Sequence, residues 1–167
     1  MVKRRLAPGL FLLVISLSGL TGCINERPQL GIIHHRLMPC QDTPNCVVSR
    51  KDTPDTHKIA PFSYRGEQDD AYRQLLNLLN QRKDAIVVEM EHAHYIRADF
   101  RTPVLGFIDD VEFFFKQPGT IQIRSASRIG YYDFGANRKR MEALRKLFEQ
   151  RIITSPETDE HPEIQTD

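Results

Sequence analysis

The chain has 167 residues and a formal net charge of +1, so its length suits one domain with tails rather than two domains. The near-neutral charge excludes the strong positive field typical of proteins that bind nucleic acid, and we expect no nucleic-acid partner. No apolar run reaches the ~18–20 residues that a membrane-spanning helix requires without a charge or helix breaker.

The N-terminus has the features of a bacterial lipoprotein signal. Lys3–Arg5 form a cationic start and Leu10–Leu20 an apolar run of signal-peptide length. Leu20–Cys23 (Leu-Thr-Gly-Cys) closely resembles the lipobox, in which the cysteine is acylated and becomes the first residue after cleavage. We therefore predict a signal peptide over residues 1–22 and palmitate-type lipidation of Cys23. The alternatives are an ordinary signal peptide with a chance cysteine, or a short buried helix.

This signal also predicts where the protein is located. More than one acyl chain gives stable anchoring to a membrane surface. Ile24, rather than aspartate, follows the cysteine, and by analogy with Gram-negative sorting rules this indicates the outer membrane, facing the periplasm. Residues 23–36 are expected to be a tether. Residues 153–167 are expected to be a disordered acidic tail, because five acids and no Lys or Arg follow Arg151.

The two remaining cysteines, Cys40 and Cys46, lie six positions apart, and Pro39 and Pro44 stiffen the turn that would bring them together. In an oxidising periplasm this spacing favours a disulfide. The alternative is a thiolate metal site completed by one of three histidines, His34, His35 or His57. The spacing matches no common zinc pattern, so we expect neither a metal nor another cofactor.

Hydrophobic periodicity predicts one α+β domain over residues 37–152. In chain order the predicted elements are a strand at Ile59–Tyr64, a helix at Asp69–Asn80, strands at Ala85–Met90, His94–Arg101, Asp109–Lys116 and Thr120–Ser127, and a helix at Asn137–Arg151. The links between the later strands are short and contain no helix. This order favours an antiparallel sheet of about four to five strands packed by two helices.

The last two strands are joined by Gln117–Gly119, a strong hairpin signal. One register keeps their apolar side chains together, with the pairs Phe115–Ile121, Phe113–Ile123 and Val111–Ser125. That register sets Glu112 opposite Arg124 on the other face, with Asp110 diagonal to Arg124 and Arg128. We expect this face to be a solvated lattice of ion pairs.

The same register turns Asp109, Ser125 and Ser127 toward the core. A carboxylate that faces a core is costly unless it is hydrogen-bonded. Two interpretations stay open, namely a capping or buried hydrogen-bonding role for Asp109 and a functional carboxylate.

Several segments together resemble a known family. They are Pro44–Ser49, His57–Pro61, Gly106–Phe113, Arg124–Gly130 and Asp133–Arg140. In these segments the chain is similar to the domain-of-unknown-function 1499 family, over about residues 37–150. The resemblance supports the limits of the domain but implies no reaction.

The stretch from Arg124 to Arg140 is the best candidate for a ligand site. Three cations begin the last helix, where the helix dipole favours anions, so a negative group is expected nearby. It is either internal (Asp109, Asp110 or Asp133) or an external phosphate or carboxylate of an envelope component. The candidate ligand-binding residues are Asp109, Asp110, Arg124, Ser125, Ser127, Arg128, Asp133, Asn137 and Arg138, beside Lys139 and Arg140.

Evidence for catalysis in the sequence is weak. A nucleophilic serine needs a base, and His57, His92 and His94 are the histidines within the domain. There is no nucleophile elbow, metalloprotease helix or phosphate loop. We therefore expect a binding or structural role in the envelope. The alternative is a hydrolase or transferase that uses Asp109, Ser125 or Ser127 with Arg124.

Overall fold

The computed structural model describes residues 26–154. The predicted signal peptide, Cys23 and residues 155–167 of the predicted tail lie outside the described residues. Within them, no helix combines the length and the apolar character needed to cross a membrane.

The described chain forms eight strands and two helices. In order they are β1 (Ile32–Ile33), β2 (Arg36–Leu37), β3 (Cys46–Val48), β4 (Phe62–Ser63), α1 (Gln68–Asn80), β5 (Ala85–Glu91), β6 (Tyr95–Arg101), β7 (Ile108–Gln117), β8 (Thr120–Ser127) and α2 (Ala136–Thr154). Six strands form one sheet. Five of them follow the order β3-β8-β7-β6-β5, and the sixth, β4, pairs with β8. Strands β1 and β2 form a separate hairpin. The α+β class is confirmed, but the sheet has six strands rather than about four to five.

The predicted helices are found with small changes at their ends. Helix α1 starts one residue earlier than expected, carries Asp69 and Asp70 in its first turn, where the dipole favours them, and buries Leu75, Leu78 and Leu79. Helix α2 extends to Thr154, three residues beyond the prediction.

The predicted hairpin register is confirmed for most of its length. Phe113 pairs with Ile123 and Glu112 with Arg124, and the pairing continues to Asp109 and Ser127. A register shift falls between Phe114 and Gln117, so the predicted Phe115–Ile121 pair is not part of the ladder. The cause is an irregularity next to the Gly119 turn, where the strongly twisted end of the ribbon accommodates an extra residue.

One face of the sheet and the two helices enclose the apolar core. Phe113 and Phe62 lie with ring centroids 5.9 Å apart, and Phe148 of α2 lies 5.9 Å from Phe62 on the other side. Leu75 of α1 and Met141 of α2 are fully buried in the same cluster. The helices therefore pack on a single face of the sheet, as the alternation of the strands predicts.

The opposite face is covered by the N-terminal segment, residues 26–50. Strand β3 pairs with β8 and forms an edge of the sheet, and Leu37 packs with Val48, Tyr95 and Phe114. Residues 26–36, which the sequence predicts to be a tether, lie against the sheet in the structure. The prediction of a solvated ion-pair lattice is also wrong, because this segment buries the charged side chains of β6, β7 and β8.

Candidate functional site

Charged side chains lie between the sheet and the N-terminal segment, and we call them the buried charged layer. Its members are Arg97, Asp99, Asp110, Glu112, Arg124 and Arg128. They come from the three central strands and from the residue after β8, and alternation along each strand places them on the face away from the helices. Three cations match three carboxylates, so the layer is formally neutral before the N-terminal segment is added.

Arg128 is the centre of the layer. Its Nε donates to Asp110 at 3.0 Å, and its Nη2 donates to Asp110 at 2.8 Å and to Asp99 at 2.7 Å. Arg97 donates to the same Asp110 at 2.8 Å. The hydrogen bonds that Arg128 donates to Asp110 and Asp99 raise the pKa of its guanidinium, so it stays charged. The diagonal approach of Arg128 to Asp110 that the register predicts is confirmed.

Glu112 is fully buried at the other end of the layer. Its carboxylate accepts hydrogen bonds from the Tyr95 hydroxyl at 2.8 Å, from the Gly31 amide at 2.9 Å and from Arg124 at 3.3 Å. Burial nevertheless raises the pKa of Glu112, because loss of solvation outweighs the attraction of Arg124. Burial and the neighbouring carboxylate also raise the pKa of the Tyr95 hydroxyl.

The N-terminal segment completes this layer with polar contacts as well as apolar ones. Arg27 Nε donates to Asp99 at 3.0 Å, which brings a fourth cation to three carboxylates. Cys40 and Cys46 are joined by a disulfide with a Cα–Cα distance of 5.6 Å, which fixes the start of β3. The predicted disulfide is confirmed, and the cysteines are not free to act as thiolate ligands.

The other half of the predicted site lies on the helix side of the sheet. Arg140 Nη2 donates to the buried Asp109 at 2.5 Å, and Ser125 donates to Asn137 at 2.5 Å. Asn137 Nδ2 in turn donates to Ser127 at 3.0 Å. Asp109 is thus held in a buried hydrogen-bond network, which is one of the two interpretations that the sequence left open.

The negative group expected at the start of α2 is Asp133. Its carboxylate accepts hydrogen bonds from the amides of Gly135 at 2.9 Å and Asn137 at 2.8 Å. An internal carboxylate therefore serves the helix N-terminus. Arg138 points away from this cluster and donates to the carbonyl oxygens of Lys58 at 2.8 Å and Thr56 at 3.1 Å.

The predicted set of ligand-binding residues is therefore divided by the sheet. Asp110, Arg124 and Arg128 lie on one face; a second group lies on the other face, namely Asp109, Ser125, Ser127, Asp133 and Asn137. A cleft of about 170 Å³ reaches Arg124, Ser127 and Arg128 from solvent. Most of the cations are already paired with internal carboxylates, which leaves little charge for an external anion.

No pair of side chains for nucleophilic catalysis is assembled in the described residues. Ser125 donates its hydroxyl proton to Asn137 rather than to a histidine. His57 Nδ1 lies 3.0 Å from the Cys46 carbonyl oxygen, and His92 Nε2 lies 3.1 Å from Asp69. Among residues 26–154, no three His, Cys, Asp or Glu side chains converge as a metal-binding group.

A larger cleft, which sequence reasoning missed, lies at the turn end of the β7–β8 hairpin. It has a volume of about 400 Å³, with Leu37 and Phe114 among the residues that line it. Its charged side chains are Arg36, Arg50, Lys51, Lys116 and Asp52. We call it the basic cleft, because four cations face one carboxylate.

The carboxylate of the basic cleft is engaged by two arginines. Arg50 donates to Asp52 at 2.9 and 2.6 Å, and Arg36 lies 3.5 Å from it. The hydrogen bonds from Arg50 lower the pKa of Asp52 to about 2. Lys51 and Lys116 are exposed and have no hydrogen-bond or ion-pair partner within the described residues. The basic cleft thus retains free positive charge.

Comparison with known proteins gives the family. The profile described as "Protein of unknown function (DUF1499)" matches residues 36–148, which is most of the chain. The chain belongs to this family. No curated protein and no solved structure matches it. The family match covers the six-stranded sheet, both helices up to Phe148, and the five charged side chains of the basic cleft.

Proposed function

We propose that this DUF1499 protein is a lipid-anchored lipoprotein of the bacterial envelope that binds an anionic ligand in the basic cleft. The lipobox-like sequence ending at Cys23 supports the anchor. The Cys40–Cys46 disulfide supports export, because disulfides persist in oxidising compartments. By analogy with sorting rules, Ile24 supports the outer membrane as the location, with the domain facing the periplasm.

The observation that carries the binding role is the unpaired charge of the basic cleft. Lys51 and Lys116 carry ammonium groups without an internal partner among the described residues, and they line the cleft together with the apolar side chains of Leu37 and Phe114. A carboxylate or phosphate joined to a small apolar group would satisfy both features. Ammonium and guanidinium donors form the stronger, charge-assisted hydrogen bonds with such anions.

The first experiment is the intact mass of the protein purified from its native membrane, with and without reductant. The expected mass corresponds to a chain that starts at an acylated Cys23, with two hydrogens gained on reduction. A mass without acyl chains would contradict the anchor. A mass unchanged by reductant would contradict the disulfide.

The second experiment tests the basic cleft with inorganic phosphate as the probe. Lys51→Gln/Lys116→Gln should weaken phosphate binding about tenfold or more, since each charge-assisted hydrogen bond contributes roughly 1.5–3 kcal/mol. The matched control is Lys83→Gln/Lys146→Gln, which removes the same charge from two exposed lysines outside the cleft. Calorimetric titration that shows equal losses in both double variants would overturn the site.

The enzyme alternative uses Asp109 with Ser125 or Ser127 and Arg124. It has less support, because Asp109 is paired with Arg140 and Arg124 lies on the opposite face of the sheet.

A further inference from the structure

Two loops at one end of the sheet carry most of the exposed apolar side chains of the described protein. They are residues 102–107, between β6 and β7, and residues 128–135, between β8 and α2. Of the eleven large exposed hydrophobic residues in the described chain, seven lie on these loops. They are Val104, Leu105, Phe107, Ile129, Tyr131, Tyr132 and Phe134, which we call the apolar rim.

The two loops are neighbours and are internally braced. The Arg128 amide donates to the Ile108 carbonyl at 2.9 Å, which joins the bases of the loops. Within the first loop the Thr102 amide donates to the Phe107 carbonyl at 2.8 Å. The rings of Tyr132 and Phe134 contact each other edge to face at 4.9 Å. The rim is therefore a formed surface and not a set of unrelated exposed side chains.

The backbone conformation of Phe134 accompanies the exposure of its ring. Phe134 is 80% exposed and has a φ of +54°, a backbone conformation that a bulky residue rarely adopts. Burial of the ring does not compensate this strain within the described protein. Backbone strain of this kind clusters at functional sites.

The rim carries no free charge. The two loops contain only Arg128 and Asp133 as charged residues, and both are bound internally to carboxylates or helix amides. Arg101 and Lys139 are exposed at its border. An uncharged centre rich in aromatic rings and flanked by cations is the composition that favours a membrane interface.

The path of the N-terminal segment brings this rim to the membrane. Gly31 is bonded to Glu112, whereas Arg27 is bonded to Asp99, which lies closer to loop 102–107 along β6. From Gly31 to Arg27 the chain therefore runs toward the rim. Four steps along the chain lead from the Cα atom of Arg27 to that of Cys23, and they span at most about 14 Å.

We propose that the apolar rim inserts into the lipid surface beside the acylated Cys23 and so fixes the orientation of the domain. This inference rests on the lipid anchor of the proposed function. The basic cleft lies at the other end of the β7–β8 hairpin, so the docked domain presents it away from the membrane, toward the periplasm. The acyl chains and the apolar rim then contact the membrane at two points. Together they fix the orientation of the domain relative to the membrane, which a tether alone would leave free.

The chain contains no tryptophan, so Phe134→Trp places a single tryptophan in the rim, whose fluorescence can be excited selectively over that of the tyrosines. The lipidated protein would be reconstituted in vesicles of phosphatidylethanolamine and phosphatidylglycerol that contain brominated acyl chains. We expect the Phe134→Trp emission to shift to the blue and to lose most of its intensity to bromine quenching. The matched control is Met90→Trp, an exposed position at the opposite end of β5, which should show neither effect.

The outcomes distinguish the rim from the anchor. An acylated protein whose Phe134→Trp fluorescence is unaffected by bromine would overturn the rim proposal while the anchor stands. Phe134→Trp that is shielded from aqueous acrylamide but not quenched by bromine would also overturn it, by showing a protein contact such as a second copy. A protein that lacks acyl chains by intact mass would remove the basis of both.

Discussion

The two faces of the sheet are both buried, but they are buried by different means. The helix face is apolar and is covered by α1 and α2, whose hydrophobic periodicity is evident in the sequence. The opposite face carries the buried charged layer and is covered by residues 26–50, whose strands have only two or three residues. The first face gains stability from every contact it makes, whereas the second depends on complete pairing of its charges.

This difference shows what the N-terminal segment does for the fold. Without it, Arg27 would not reach Asp99 and the Gly31 amide would not reach Glu112. Buried carboxylates are costly unless they are hydrogen-bonded, so the segment closest to the predicted anchor also supplies hydrogen bonds that the layer needs. Residues 26–50 would therefore link the proposed anchor to the fold.

The largest expected effect is at Arg128. Arg128→Met removes the cation that Asp99 and Asp110 share and should lower the free energy of unfolding by about 3–5 kcal/mol, because it leaves buried carboxylates uncompensated. The control Arg138→Met removes a partly exposed arginine bonded to carbonyl oxygens and should cost less than about 1 kcal/mol. Urea unfolding of both variants provides the measurement. Equal effects would show that the charged layer is no more sensitive than the surface.

The two faces also differ in how far the sequence predicts them. Alternation in β7 and β8 correctly predicts the Glu112–Arg124 pair and the inward position of Asp109. It does not predict that the charged face is covered, because the cover has no periodicity and its pairing with β8 joins residues that lie far apart in sequence. The disulfide was predictable, since it depends on local spacing and compartment alone.

The candidate site was predicted less well for the same reason. The stretch Arg124–Arg140 is dense in charge, but the alternating strand and the helix turn send its side chains to opposite faces and to internal partners. The basic cleft combines Arg36 and Arg50 with Lys116, far away in the chain, so no sequence window contains it. The only local sequence signal for the basic cleft was the pair of adjacent cations, Arg50 and Lys51, shortly after Cys46.

On the helix side of the sheet, the buried ion pair between Asp109 and Arg140 can be tested by substitution. Asp109→Asn leaves Arg140 without its carboxylate and should lower the free energy of unfolding by about 1.5–3 kcal/mol. The double variant Asp109→Asn/Arg140→Gln should recover part of this loss, because the unpaired cation is removed as well. Thermal unfolding of the single and double variants checks the expectation. A stable Asp109→Asn protein that loses an envelope-directed activity would instead favour the enzyme alternative.

Removal of the Cys40–Cys46 disulfide tests how strongly the N-terminal segment, residues 26–50, depends on this cross-link. Cys40→Ser/Cys46→Ser opens a short loop, and the chain-entropy model gives a loss of about 2 kcal/mol for one of this length. The effect should be largest on β3, so amide exchange of Val47 and Val48 should accelerate more than that of Leu75 in α1. Uniform acceleration across both faces would mean that the cover and the helices unfold as one unit.

The smallest expected effect on stability is that of Glu112→Gln. The test is the direction in which its stability relative to wild type changes with pH. The pKa of Glu112 is raised in the folded protein above its ordinary value, so the stability it contributes is fully present below that ordinary value and is lost as pH rises through the raised pKa. Glu112→Gln resembles the protonated carboxyl, so its melting temperature relative to wild type should increase as pH rises from 4 to 8. Arg124 and Arg97 oppose this trend by favouring the carboxylate, and Tyr95 donates to it. If the relative stability of Glu112→Gln instead decreases with pH, attraction to the arginines outweighs burial, and the charged layer stabilises the fold more than its desolvation costs.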